Sequence, residues 1–483
     1  MKMSAFTILF ALIAFLYLAD QKSFAERLPR QPDVPPHSPN DRFKSRIESA
    51  RDFINKNKEN KENKKNAENP QPKNDFDIYI KQIDNSYNCK LVRKINEKIT
   101  LLELTSQKWH GITWKHYMLV VVPDKINYAD HSLIYIGGGS NGNEPKQGDI
   151  LYTQALAAKA MMPVTIIFQV PNQPLDPSNK GNDFYEDALI GETLLKVMET
   201  GDSSWALLLP MTKSVIRAMD ATQEFLKKEH KIDTTKFIVG GASKRGWTTW
   251  LTSATNDPRI VGIVPIVYNN LNLLKQFQGH VETWGTFSPR IHDYIDRGLF
   301  KMNEIPSPGK LRLMSMIDPY TYLPQITVPK LLIHGSNDPY WPTDATKYYW
   351  NEIKGQKYIL TLPNAGHNVD AGLNAIKVLD TAAAFSRQVA SGKKLLKLDW
   401  TLTEKNSQYI VNITTEIQNP KFTLWKATAN SKNFQDAKWK PTTCTDKSII
   451  IEKPKSEHIA FFIELESKNN DLNFSLTTQV WRF

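Results

Sequence analysis

From about Asp77 onward, short unbroken apolar runs alternate with amphipathic stretches. Runs at 117–122, 133–136, 164–170, 237–239, 260–267, 330–333 and 357–362 are dominated by Val, Ile and Leu. A strand that is apolar on both sides needs cover on both faces, which a largely parallel sheet flanked by helices supplies. Between the runs, Val215, Ala218, Met219, Thr222, Phe225 and Leu226 recur three and four residues apart across 212–230, the stripe of a half-buried helix. The pattern predicts a doubly wound α/β domain over 75–392. After about residue 391 the period drops to two. Leu398/Trp400/Leu402, Tyr409/Val411/Ile413, Ile459/Phe461/Ile463/Leu465 and Phe474/Leu476/Thr478/Val480 each alternate with their neighbours. Five or six such strands predict a small antiparallel β-sandwich over 393–483, with packing or partner contact as its role.

The start of the chain follows neither pattern. Lys2 precedes an apolar run from Ala5 to Ala19, and Ser23 and Ala25 sit at −3 and −1 of a cut after Ala25. That three-part layout predicts a secretory signal over 1–25; the run falls short of the roughly 20 residues a membrane span needs. Residues 26–74 are rich in Pro, Lys, Asn and Glu and nearly devoid of large apolar side chains, so a disordered tether is expected. The mature chain is then secreted or periplasmic, with no stable membrane insertion. The formal charge of +11 forms no basic stripe, since acids lie among the bases, and it gives no footprint for nucleic acid. Cys89 and Cys444 are the two cysteines; export permits a disulfide, and independent thiols fit equally well. Neither has metal-site or redox spacing, so no metal and no cofactor is expected.

Candidate chemistry sits at three strand ends. The run at 236–239 leads into Gly240-Gly241-Ala242-Ser243-Lys244-Arg245-Gly246 and then a helix-like stretch. A serine at a sharp strand-to-helix turn is lifted above the sheet, near the positive helix end, with the Lys244 amide facing a developing oxyanion. The usual elbow has Gly two places after the serine, where Arg245 stands. Asp338 follows the 330–333 run, with Asp344 as a competing carboxylate, and His367 follows 357–362. Serine, acid and histidine beyond successive strands is the chain order of α/β-hydrolases, so Ser243, Asp338 and His367 are the expected catalytic groups. The second oxyanion donor is expected from the Gly-rich loop after 133–136, at Gly139 and Ser140. That loop lacks the G-x-x-x-x-G-K-[ST] pattern of a nucleotide site. Residues 268–328 show no strand pattern and are expected to form a lid. Trp284 within it, Trp247 and Trp341 are candidate substrate contacts, and Glu186 and Asp187, opening a helical stretch, could meet a substrate amine. The lid aromatics fit its own small core as well.

The run G-G-A-S-K-R-G-W-T-T-W-L-T (240–252), with D-P-R-I-V-G-I-V-P (257–265), resembles the PhoPQ-activated pathogenicity-related protein family, to which the autocrine proliferation repressor proteins belong. Further similar stretches are Gly138-Gly139-Ser140-Asn141, Glu186-Asp187-Ala188, the turn at 335–344, Asn364-Ala365-Gly366-His367 and Leu424-Trp425-Lys426-Ala427. The resemblance runs from about Phe76 to the C-terminus. It implies a secreted α/β-hydrolase with an accessory β-domain, and it makes Arg245 a family trait. Some relatives are described as secreted signals or virulence-associated factors. Two functions are therefore carried forward: an exported serine hydrolase acting on a small ester or peptide, and an exported binding or signalling protein that keeps the fold without depending on turnover.

Overall fold

The computed structural model describes residues 74–483 apart from Lys180, Asn303, Asp370 and Asn470. The expected signal (1–25) and all but the last residue of the expected tether (26–74) lie outside them. Nine strands form the main sheet: β1 (Asn88–Asn96), β2 (Ile99–Trp109), β3 (Ile112–Val121), β4 (His131–Ile136), β5 (Val164–Ile167), β6 (Lys236–Ala242), β7 (Ile260–Ile266), β8 (Lys330–Gly335) and β9 (Lys357–Leu362). Their order is β1-β2-β3-β5-β4-β6-β7-β8-β9. The first three strands and the β3–β5 pairing are antiparallel, and every pairing from β5–β4 to β8–β9 is parallel.

Both sheet faces are covered, as the unbroken apolar runs require. On one side, α1 (Asp75–Lys81), α3 (Glu186–Thr200), α4 (Leu208–Phe225) and α5 (Lys244–Ala254) share a core with inward residues such as Ile134, Phe237 and Val239. On the other, α2 (Gln147–Ala160) and α8 (Leu373–Ala390) pack on Leu133, Ile238 and Leu331. Residues 268–328 are helical wherever they are regular, with α6 (Leu273–Trp284) and α7 (Pro308–Ile317) as their longer pieces.

Two departures from the apolar pattern have physical causes. β1 escapes it because it is exposed along nearly its whole length and carries no buried apolar face. β5 ends at Ile167 although the apolar run continues to Val170. Gln169 there takes a left-handed backbone (φ 54°), and its side chain accepts from Tyr117 N (2.8 Å) and donates to Asn143 O (2.8 Å).

The C-terminal part has eight strands, against the five or six expected. β10 (Asp399–Lys405), β11 (Gln408–Thr414) and β14 (Ser448–Glu452) form one antiparallel sheet. β12 (Phe422–Ala429), β13 (Lys440–Cys444), β15 (His458–Asn469), β16 (Leu472–Thr477) and β17 (Trp481–Arg482) form the other. Val411, Ile413, Phe422, Ile451, Phe461 and Ile463 fill the space between the two sheets. β16 lies against the main domain, where Leu472, Phe474 and Leu476 join the α8 core. Cys89 and Cys444 are both free thiols.

This β-rich part also grips two loops at the rim of the main sheet. Asn337 Nδ2 donates to the carbonyls of Phe434 (3.2 Å), Gln435 (3.0 Å) and Ala437 (2.7 Å). Asn364 pairs reciprocally with the Trp439 backbone, donating at 3.0 Å and accepting at 2.8 Å. Asp344 and Arg482, each 2% exposed at the side chain, face each other at 3.0 Å as an ion pair. We expect Asn337→Ala to lower the urea-unfolding free energy by about 1–3 kcal/mol, because three part-buried carbonyls lose their donor. Amide hydrogen exchange at residues 434–439 should accelerate in parallel. An unchanged unfolding midpoint with unchanged exchange would show that the junction contributes nothing.

Candidate active site

Ser243 sits between the end of β6 and the first residue of α5, at φ 58° and ψ −125°, a conformation that L residues rarely adopt. The turn is tight because its neighbours are small. A Cβ on Gly241 would lie 2.8 Å from Arg245 O, and one on Gly246 would lie 2.8 Å from Ile266 O. Ser243 N donates to Ile266 O at 2.8 Å, which ties the elbow to β7.

The structure brings the three expected groups together. His367 Nε2 lies 2.8 Å from Ser243 Oγ, and its Nδ1 lies 2.8 Å from Asp338 Oδ2. A carboxylate only accepts, so the ring proton belongs on Nδ1 and the Nε2 lone pair faces the serine hydroxyl. Asp338 is buried at 6% exposure. Tyr340 N donates to its Oδ1 (2.9 Å) and Trp341 Nε1 to its Oδ2 (3.2 Å). The Tyr340 ring lies 4.2 Å from the imidazole, centroid to centroid. Asp344 does not compete for the histidine, because Lys347 (2.7 Å) and Arg482 hold it.

Arg245, the residue that departs from the elbow pattern, accounts for much of the local order. Its Nε donates to Val170 O (2.6 Å), and its two terminal nitrogens reach the two Glu186 oxygens at 2.7 and 2.6 Å. Lys244 Nζ sits 2.8 Å from Glu186 Oε2 and 3.5 Å from Asp187 Oδ1. Gln173 Nε2 adds a fourth donor to Glu186 at 2.6 Å. Glu186 is thus fully engaged by the chain's own cations, and the expectation that it meets a substrate amine is corrected. Asp187 does line the cavity beside Ser243, bonded to the Tyr294 hydroxyl at 3.0 Å.

The Gly-rich loop packs directly on this guanidinium, since a Cβ on Gly138 would lie 2.7 Å from Arg245 Nη2. Gly138 O accepts from Gln169 N (2.8 Å) and Gly139 O from Gln173 Nε2 (3.2 Å). Each trans peptide plane sends its N–H opposite its C=O, so the Gly139 and Ser140 amides point away from Gln169 and Gln173. The Lys244 amide is at the first position of α5, where an N–H has no partner within its helix.

The cavity at Ser243 has a volume of about 600 Å³, counting its open mouth, and Trp247 and Trp341 form part of its wall. Trp284 is not brought there. It packs on His280 (5.0 Å between centroids) near the far end of α6, so its expected substrate contact is corrected. Sequence reasoning missed Tyr340, Asn337 and Asn364. Each flanks or nearly flanks a chemical residue in a turn rich in Asn, Asp, Pro and Gly, where ordinary turn chemistry is an equally good reading. Among the described residues, no helix is long and apolar enough to cross a membrane.

Burial opposes ionisation of Glu186, but the charges of Arg245 and Lys244 and their hydrogen bonds outweigh it and hold the carboxyl far below its usual 4.5. The folded value lies below the unfolded one, so this stabilisation is complete above about pH 4.5 and is lost as pH falls toward the folded value. The Tm gap between wild type and Glu186→Gln should therefore stay level from about pH 8 to 5 and shrink only in more acid solution. A gap that instead widens below pH 4.5 would reverse this assignment.

A serine on a strained strand-to-helix turn, followed in the chain by the acid and then the histidine, is the α/β-hydrolase layout. Residues 76–436 match the family described as PhoPQ-activated pathogenicity-related protein. Autocrine proliferation repressor protein A of Dictyostelium discoideum is 31% identical over 427 residues, covering 81% of this chain and 85% of that protein. Among solved structures, an acetyl xylan esterase from Paenibacillus sp. R4 aligns at 15% identity and TM-score 0.44, covering 62% of this chain and 90% of the other. An acylaminoacyl peptidase of Pyrococcus horikoshii aligns at 14% identity and TM-score 0.41, covering 64% and 43%. By the extent of the family match and the identity and coverage of the Dictyostelium relative, the chain belongs to the PhoPQ-activated pathogenicity-related protein family.

Proposed function

We propose that this protein is an exported serine hydrolase that cleaves a small ester or peptide through an acyl-enzyme. The observation that carries the reading is the unbroken hydrogen-bonded line Ser243–His367–Asp338, with both links at 2.8 Å. His367 Nε2 takes the hydroxyl proton as Ser243 Oγ bonds to the substrate carbonyl carbon. The charge that develops on the carbonyl oxygen is met by the Lys244 amide, with Gly139 and Ser140 as second donors. The tetrahedral adduct collapses, the bond to the leaving oxygen or nitrogen breaks, and His367 returns the proton to the leaving group. Water, deprotonated by the same imidazole, then releases the acid and restores the serine. Asp338 holds the ring in the required tautomer and stabilises the imidazolium. Residues 268–328 act as the lid. The signal at 1–25 directs export and 26–74 is the tether.

A second reading, an exported signal on a hydrolase fold, is favoured by the name of the Dictyostelium relative. A serine-reactive fluorophosphonate probe separates the two. Wild type should label and Ser243→Ala should not; an unlabelled, folded wild type whose biological effect survives in Ser243→Ala would leave the signalling reading. Among active preparations, Asp338→Asn should lower kcat by roughly 10³–10⁴-fold without unfolding. A comparable loss from Asp344→Asn alone would move the acid to that residue.

A further inference from the structure

The cavity beside Ser243 carries information about the substrate that the three reacting groups do not. Trp247 and Tyr268 stack in its wall at 5.2 Å between centroids, and Trp341 meets Tyr268 edge-on at 5.8 Å. The polar tips of both indoles are committed elsewhere, Trp247 Nε1 to Ile317 O (2.6 Å) and Trp341 Nε1 to Asp338. What they offer a ligand is ring surface. Leu273, Phe277 and Ile291 continue that surface, while the charges in the wall, Asp187 and Lys244, already lie 3.5 Å from each other. Such a wall rewards an apolar group and gives an additional charge no free partner.

The position of the cavity assigns it to one side of the scissile bond. A leaving group must sit against His367 Nε2 to collect its proton; Tyr340, whose ring lies 4.2 Å from the imidazole, forms the wall on that side, whereas Ser243 and the oxyanion-facing Lys244 line the cavity itself. A second, open pocket of about 370 Å³ counting its mouth, lined by Leu274, Phe287 and Met314, shares Phe277 and Phe300 with the first. The rings of that pair stand 4.6 Å apart, centroid to centroid, as a partition between the two.

We propose that this cavity is an acyl-group site for alkyl or aryl acids larger than acetate, and that the Phe277–Phe300 pair sets its depth. This rests on the serine-hydrolase reading for its chemistry: the apolar acyl group is transferred to Ser243 Oγ, the leaving group takes the proton, and water completes hydrolysis. Each methylene buried in the transition state is worth roughly fourfold in rate.

The full mature chain is assayed with p-nitrophenyl acetate, butyrate, hexanoate and decanoate, beside a series of alkyl acetates of rising alcohol length. kcat/KM should climb at least tenfold from acetate to hexanoate and change much less with alcohol length. Phe300→Ala, at a partly buried position, should raise the decanoate-to-hexanoate ratio at least fivefold. A flat acyl series in a preparation that labels with fluorophosphonate overturns the acyl site and leaves the serine hydrolase standing, as does a preference that follows the alcohol instead. Binding is read separately, as the change in tryptophan fluorescence of wild type with hexanamide and with acetamide. At least tenfold tighter binding of hexanamide supports the site even in a protein that turns over no ester, and equal affinities overturn it.

Discussion

Holding Ser243 at φ 58° and ψ −125° costs on the order of 1–3 kcal/mol, and nothing in the serine itself returns that. The return comes from around it. Arg245 follows two residues later and fastens the start of α5 to the Val170 carbonyl and to both oxygens of Glu186, which opens α3. Lys244 grips the same carboxylate from the preceding position. The close approaches of Gly241 and Gly246 let the backbone turn in that space. The Gly138 loop in turn lies against the guanidinium. One carboxylate therefore fixes the elbow, the Gly-rich loop and the head of α3 relative to one another. The arrangement explains how an arginine stands where hydrolase elbows usually carry glycine: the required small residue has moved one place on, and the freed position supplies a fork of donors.

The acid and histidine loops have a different support. They rise from β8 and β9 and would be free to sway at the sheet rim. The side chains of Asn337 and Asn364 bind them to the segment between β12 and β13, with the Ser336 hydroxyl linking the two loops through Asn337 Oδ1 (2.6 Å) and Asn364 N (2.9 Å). A misplacement near 1 Å can cost about a hundredfold in rate, so under the proposed hydrolase reading this scaffolding bears on chemistry as well as on stability. The serine half of the site is thus held mainly by charge, and its partners by neutral amide hydrogen bonds together with the Asp344–Arg482 ion pair.

Much of this was legible in residue order. Continuous Val/Ile/Leu runs marked the parallel strands because burial on both faces leaves no polar alternation. The turn residues after 236–239, 330–333 and 357–362 marked the chemistry because functional groups gather at the C-terminal edge of such sheets. What escaped was long-range. Glu186 opens a helix with a carboxylate, as countless helices do, and only three dimensions show two cations converging on it. Trp284 shares its composition with the cavity aromatics, yet its place at the end of α6 turns it toward His280. β1 left no apolar trace because it faces solvent.

The acceptors of Asn337 lie 97 to 100 residues downstream of it. A ribosome adding roughly 5–20 residues per second needs on the order of 5–20 s to bridge that gap. Over roughly the last two-thirds of that interval, once His367 has been added, the nascent polypeptide contains Ser243, Asp338 and His367 but not the brace that steadies the loops of the latter two. The brace therefore arrives late in biosynthesis, after the whole α/β body has been made, and an interrupted translation product ending before Phe434 carries Ser243, Asp338 and His367 without it.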